Sequence, residues 1–225
     1  MDSIDLLRIG ASIVALLVAI IGHEIMHGWV AYKYGDMTAK NAGRLTINPI
    51  SHIDPVGSLL VPAMMYFIPM LFGSDGGFLF GWAKPVPVNI RTVMNNGGYG
   101  AAMQVSLAGI TYNFLVAAFA SALLLSMPQP LVSDTLVYVF AYLLVMQIVV
   151  INVVLGIFNL LPIPQFDGAH FVQYVAMKYK AYAIAEWFAK MERYGMIIVL
   201  VILVTPIHQY VLIMPVQFVL QLLLS

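Results

Sequence analysis

The chain has 225 residues, of which 62% are hydrophobic and 9% charged, whereas an ordinary soluble domain carries about 25% charged residues. Ten acidic and ten basic side chains cannot clothe a soluble globule of this length, so the mean hydropathy of +0.93 points to lipid as the solvent. The charge balance leaves no cationic surface for a nucleic acid, and the lack of cysteine excludes disulfides and thiolate metal sites.

These numbers predict one integral-membrane domain over residues 1–225, an all-α polytopic protein with about four to six transmembrane helices. In chain order, the first predicted span is 9–34. Between Ile9 and Tyr32 its only His, Asp, Glu, Lys or Arg residues are His23, Glu24 and His27. No basic cluster precedes it and no small-residue cleavage site is clear, so it reads as a retained helix rather than a signal peptide. The stretch AKNAGRLTIN at 39–48 has alternating apolar residues near its end and predicts a short β-strand or hairpin at the membrane face. Residues 57–72 are apolar but short and contain Pro62 and Pro69, which fits a re-entrant segment. GWAKPVPVN at 81–89, with prolines two apart, is expected to be extended.

From Thr92 to Met177 the only Asp, Glu, Lys or Arg residues are Asp134 and Asp167. The apolar runs within that interval predict spans at 101–127 and 135–160, and a fourth follows at 194–224. If 57–72 re-enters, Lys33, Lys40, Arg44, Lys84 and Arg91 fall on the same side as Lys178, Lys180, Lys190 and Arg193. The positive-inside rule makes that side cytoplasmic and the N-terminus external.

His23-Glu24-Ile25-Met26-His27 is an HExxH motif inside a predicted helix. Residues i and i+4 share a helical face, so the two imidazoles can converge on one metal ion, with Glu24 beside it to accept a proton from water. Charged groups within a span cost roughly 3 kcal/mol or more and carry function far more often than structure. The bland reading is a hydrogen-bonded polar cluster between helices. A catalytic zinc needs three protein ligands. His52, His170 and His208 are candidates for the third, but Asp167 in NLLPIPQFDG (159–168) is the best placed. It follows a long span, and Pro162 and Pro164 break the helix ahead of it. It could equally cap a helix starting near Gly168. A His₂Asp set suits zinc, although other divalent ions would fit.

The segments HEIMHGWVAYKYGD (23–36), GRLTINPISHIDPVG (43–57), FGWAKPVPVN (80–89) and NLLPIPQFDG (159–168) resemble, in order, the site-2 protease family of intramembrane zinc metalloproteases. The lack of an appended PDZ or CBS domain resembles its compact prokaryotic branch. The resemblance implies zinc on His23, His27 and Asp167, water activation by Glu24, and substrate binding by Asn159. Asn113 in AGITYN (108–113) matches a second family asparagine, and a helix-packing amide is an equal reading of it. Three positions depart from the family pattern: Gln165 stands where a proline is usual, Ile110 ends what is usually AGP, and Tyr112 replaces a small residue. All four zinc-site residues are intact.

The implied reaction is hydrolysis of a peptide bond in a transmembrane protein or peptide. It would take place in the lipid bilayer of a prokaryotic plasma (inner) membrane, with the active site toward the cytoplasm. The alternatives are a membrane metal transporter, which needs a line of polar ligands across the bilayer, and an inactive homologue that binds transmembrane helices.

Overall fold

The computed structural model of the chain describes residues 3–54, 84–131 and 133–225. The expected re-entrant segment 57–72 lies outside the described residues. The elements are α1 (Ser3–Lys33), a one-turn α2 (Thr38–Asn41), α3 (Ile90–Ser126), α4 (Leu136–Leu160), α5 (Asp167–Lys178), α6 (Tyr182–Met191), α7 (Gly195–Val204) and α8 (Met214–Leu224). Three helices, α1, α3 and α4, are long and apolar enough to cross a membrane. A fourth span is counted if the bent pair ending in α8 is taken as one. The chain is thus an integral membrane protein of helical type, with three or four spans among the described residues against the four to six expected.

α1 is apolar and proline-free through its length, and its buried face repeats every four residues. Ala11, Ala15, Ala19 and Ala31 are fully buried, and His23 and His27 occupy the two positions between Ala19 and Ala31 in the same row. Small side chains at that spacing let neighbouring backbones approach closely, as helices in lipid require. The row therefore aims both imidazoles at the partners that the alanines pack against.

Those partners are α3 and α4. Tyr34 bonds Gln104, His27 bonds Val105, His23 bonds Asn113 and Tyr112 bonds Val18, so residue numbers rise along α1 as they fall along α3. The two helices are antiparallel. α3 and α4 are antiparallel as well, with Asn113 on Asn152, Ala117 against Val153, and Ala120 and Leu124 against Val149. Hence α1 ends, α3 begins and α4 ends on one side of the bundle, and α5 starts there. α8 lies against α3 and α4 through Val216, Val219, Leu220 and Leu223, and the Ser121 hydroxyl donates to the Leu223 carbonyl.

One sequence expectation needs correction. No strand forms over 39–48, nor anywhere else among the described residues. The segment folds as α2 followed by turns and a 3₁₀ turn at Pro49–His52. Its donors are spent locally, as Asn48 N–H bonds Thr46 Oγ1 at 3.2 Å and Ile50 N–H bonds Asn48 Oδ1 at 3.1 Å. Such side-chain acceptors compete with a ladder, and Ile47, which set the alternating pattern, is 84% exposed. The span expected at 194–224, which the sequence leaves as one helix or two, is made of two. Thr205 precedes Pro206, is pushed to an extended conformation (φ −100°, ψ 159°), and ends α7. After a π-helical turn at Gln209–Ile213 the chain continues into α8, and the two arms of this break meet at 94°. α3 is also interrupted, at Gly98 (φ 62°, ψ −162°), a backbone conformation that only glycine adopts readily. The expected span 101–127 is the part beyond that break.

One buried carboxylate ties the ends of α1 and α3 together. Asp36 accepts from Thr38 N–H (2.9 Å) and the Thr38 hydroxyl (2.5 Å) through Oδ1, and from Asn89 N–H (2.6 Å) through Oδ2. Burial alone would raise its pKa, but these three donors outweigh burial and hold the carboxyl below its ordinary value of 3.8. A lowered folded pKa stabilises above the ordinary value and is lost as pH falls through the folded one. Asp36→Ala should therefore melt lower than wild type in detergent at pH 7. That gap should narrow as the pH is taken below about 4, and melting curves at three pH values would check it.

Candidate metal centre

Three side chains meet where α1, α3 and α5 come together. His23 Nε2 lies 3.0 Å from His27 Nε2, and Asp167 Oδ2 lies 3.0 Å from His23 Nε2 and 3.1 Å from His27 Nε2. A zinc ion bonded tetrahedrally at about 2.0–2.1 Å keeps its donors roughly 3.3 Å apart. The observed triangle is within a few tenths of an ångström of that edge. His23, His27 and Asp167 are also the only group of three or more His, Asp or Glu among the described residues with ligand atoms close enough to share an ion.

The outer nitrogens decide what the inner ones carry. His27 Nδ1 lies 2.7 Å from the carbonyl of Val105, a pure acceptor, so Nδ1 bears the proton and donates it. His23 Nδ1 lies 2.7 Å from Asn113 Oδ1. In the neutral imidazoles both Nε2 atoms would then turn lone pairs toward the carboxylate, the form in which histidine binds a metal. A metal-ligating imidazole holds its other ring N–H on a carbonyl or amide oxygen, and both rings have such a partner here. The donor set fits a divalent metal.

α5 places Asp167 through a turn. Phe166 N–H bonds the Ile163 carbonyl at 3.0 Å, with Pro164 and Gln165 between them and Gln165 at φ 87°. That is a type II turn, whose second corner needs positive φ and whose first suits proline. The proline usual in the family at 165 could not adopt this backbone, since its φ is locked near −65°. Phe166, not Asp167, stands at the N-cap of α5, and Asp167 is its first helical residue. Its carboxylate is spent on the imidazoles rather than on a cap.

The other candidates for third ligand lie elsewhere. His52 is buried and donates through Nε2 to the Thr46 carbonyl at 2.9 Å. His170 lines a small cleft with Pro164, Gln165, Gln173 and Phe188. His208 Nδ1 bonds the Thr205 carbonyl at 2.6 Å, at the α7 break. None joins the triangle. Glu24 Oε2 accepts from Val86 N–H at 2.7 Å, which ties the carboxylate to the irregular segment 84–89. That segment is held in turn by Lys84 N–H on the His52 carbonyl (3.0 Å) and by buried Arg44, whose Nη2 donates to the Lys84 carbonyl (2.6 Å). Asn159 Nδ2 donates back to the Leu155 carbonyl one turn earlier in α4, at 3.0 Å. Sequence reading gave no role to Asn152, which is fully buried and bonds Asn113 at 2.9 Å. An uncharged asparagine within an apolar run was the available signal.

A helical membrane protein with a preformed His–His–Asp centre defines a class, the metal-dependent membrane enzymes. The chain belongs to peptidase family M50, the site-2 protease family, whose model matches residues 11–204. It is 35% identical over 201 residues to YwhC of Bacillus subtilis, named as a candidate zinc metalloprotease, covering 89% of this chain and 83% of that one. It is 27% identical over 194 residues to Rip2 of Mycolicibacterium smegmatis and 32% identical over 157 residues to Rip2 of Mycobacterium tuberculosis, which carry the same description. These matches cover 84% and 68% of this chain, and 65% and 52% of the two relatives. No solved structure matches the chain. Family and donor set agree on a zinc metalloprotease.

Substitutions at two positions test how the centre is built. A Cβ on Gly109 of α3 would lie 2.5 Å from Nδ1, Cε1 and Nε2 of His23, over the ring face. Gly109→Ala should displace the imidazole and weaken zinc binding by on the order of tenfold or more, read by competition with a chromogenic chelator. Gln165→Gly should leave zinc affinity and melting temperature at or above wild type, because glycine takes φ 87° without strain. Gln165→Pro should lower both.

Proposed function

We propose that the chain is an intramembrane endopeptidase that hydrolyses peptide bonds of transmembrane proteins. In this reading zinc is held by His23, His27 and Asp167, and Glu24 is the catalytic acid–base. The observation that carries it is the triangle of His23 Nε2, His27 Nε2 and Asp167 Oδ2, with Glu24 next to His23 on the same helix. When bound, the metal supplies a Lewis acid and lowers the pKa of a water toward about 7. The chain's own residues supply the rest. Glu24, oriented through Oε2 by Val86 N–H, uses its second oxygen to take a proton from the attacking water. The water oxygen bonds the scissile carbonyl carbon, the C–N bond breaks, and Glu24 returns the proton to the leaving amine.

The substrate class follows from the surroundings. The centre lies within a bundle whose long helices expose leucine, valine and phenylalanine outward, a surface suited to a substrate that is itself embedded in lipid. A helical substrate hides its carbonyls in i→i−4 bonds and must unwind locally before attack. Asn159, half-buried at the end of α4, is assigned to hold the unwound substrate. Lys33, Lys40, Arg44, Lys84 and Arg91 follow the end of α1 or flank the start of α3, and the later basic residues follow α4. The positive-inside rule therefore puts the centre toward the cytoplasmic face of a prokaryotic plasma membrane. A transporter is not favoured, because no second ligand group among the described residues continues a path from the first.

Glu24→Gln in purified protein decides the assignment. The variant should retain stoichiometric zinc while cleavage of a model transmembrane substrate falls by at least about a hundredfold. Cleavage persisting near the wild-type rate would remove Glu24 from the mechanism.

A further inference from the structure

We propose that Asn152 and Asn113 form a relay that sets the tautomer of His23 and so primes it as a metal ligand. Both are positioning residues, and Asn113 acts on the imidazole rather than on substrate. The inference rests on the reading of His23 as a ligand.

The polarity of the relay is set at its far end. Asn152 Nδ2 lies 2.8 Å from the Ile148 carbonyl, which can only accept. Asn152 must therefore turn its Oδ1 toward Asn113, and Asn113 Nδ2 donates to it at 2.9 Å. The same nitrogen donates to the Ala19 carbonyl of α1 at 3.3 Å, again a pure acceptor. Both outer partners thus force Asn113 to present its Oδ1, not its NH₂, to His23 Nδ1 at 2.7 Å. An oxygen there requires a proton on Nδ1, so the neutral ring carries its lone pair on Nε2, facing His27 and Asp167. Were the Asn113 amide reversed, its NH₂ would call for a lone pair on Nδ1. The proton would then sit on Nε2, in the space the metal needs. Asn113 and Asn152 are both fully buried, so water cannot substitute for either partner. His27 needs no such device, because a backbone carbonyl cannot reverse.

A relay and a packing role predict opposite orders of tolerance. If the asparagines merely fill space between apolar helices, leucine of similar volume should serve and aspartate should not. If they carry hydrogen-bond polarity, a buried aspartic acid in its neutral form serves at either position, its hydroxyl replacing the Nδ2 donor and its carbonyl oxygen keeping the acceptor for His23 or for Asn113. The test is zinc dissociation constants by chelator competition on full-length detergent-solubilised protein, with melting temperature as a check of folding. The visible spectrum of the Co²⁺-loaded form reports the ligand field directly. Asn113→Leu and Asn152→Leu should each weaken zinc by about 10–100-fold and alter the Co²⁺ spectrum. The aspartate variants should stay within a few-fold of wild type with an unchanged spectrum. Folded leucine variants with wild-type affinity and spectrum would overturn the relay, as would aspartate variants that bind no better than leucine ones. If the leucine variants do not fold, the aspartate pair decides alone, since loss of affinity there also overturns it. His23→Ala separates this inference from the reading beneath it. Retained tight zinc in that variant removes His23 from the ligand set, whereas lost zinc there with unaffected asparagine variants removes only the relay.

Discussion

Two imidazole nitrogens and a carboxylate oxygen approach to 3.0–3.1 Å at one point in the bundle, and the elements around them hold them there. Side chains of this polarity, largely withdrawn from solvent, need charge pairing and fixed hydrogen-bond partners. The bundle meets the constraint with fixed partners on the far side of each ring. Val105 of α3 holds His27, Asn113 of α3 holds His23, and the turn ahead of α5 delivers Asp167. A cation then completes a site whose geometry is already set.

The helix contacts serve the same end. The four-residue row of α1 lets α3 and α4 close on alanine, and Gly109 extends that closeness to the face of His23. The packing that makes the bundle is thus the packing that orients the ligand. Glu24 is tied to a different part of the chain, the segment 84–89, which reaches it through Val86 N–H. Arg44, His52 and Asp36 hold that segment from three directions. Glu24 and the His23–His27–Asp167 triangle therefore rest on separate supports.

Much of this was legible before any fold was known. HExxH places its histidines on one helical face through the 3.6-residue period, and the scarcity of charge made Glu24 and Asp167 conspicuous. The Pro162–Pro164 break announced a turn before Asp167, but positive φ at Gln165 was not legible, since glutamine gives no sign of it. The strand expected over 39–48 failed because alternation over a few residues cannot outbid Thr46 and Asn48 side chains for the same backbone donors. The break at Thr205 had its signal in Pro206, masked by the strength of the surrounding apolar run.

The sequence by itself determined the apolar surroundings, the helical class, the three long apolar helices and the pairing of His23 with His27 on one helical face, because composition and local periodicity fix these without reference to distant residues. Only the tertiary structure decided that Asp167 joins the two histidines and which groups stand behind them. Asn113 meets His23 across 90 positions, Asn152 meets Asn113 across 39, and Val86 meets Glu24 across 62. No local pattern encodes such pairings. They arise from helix register and close approach, and they determine which nitrogen of an imidazole keeps its proton.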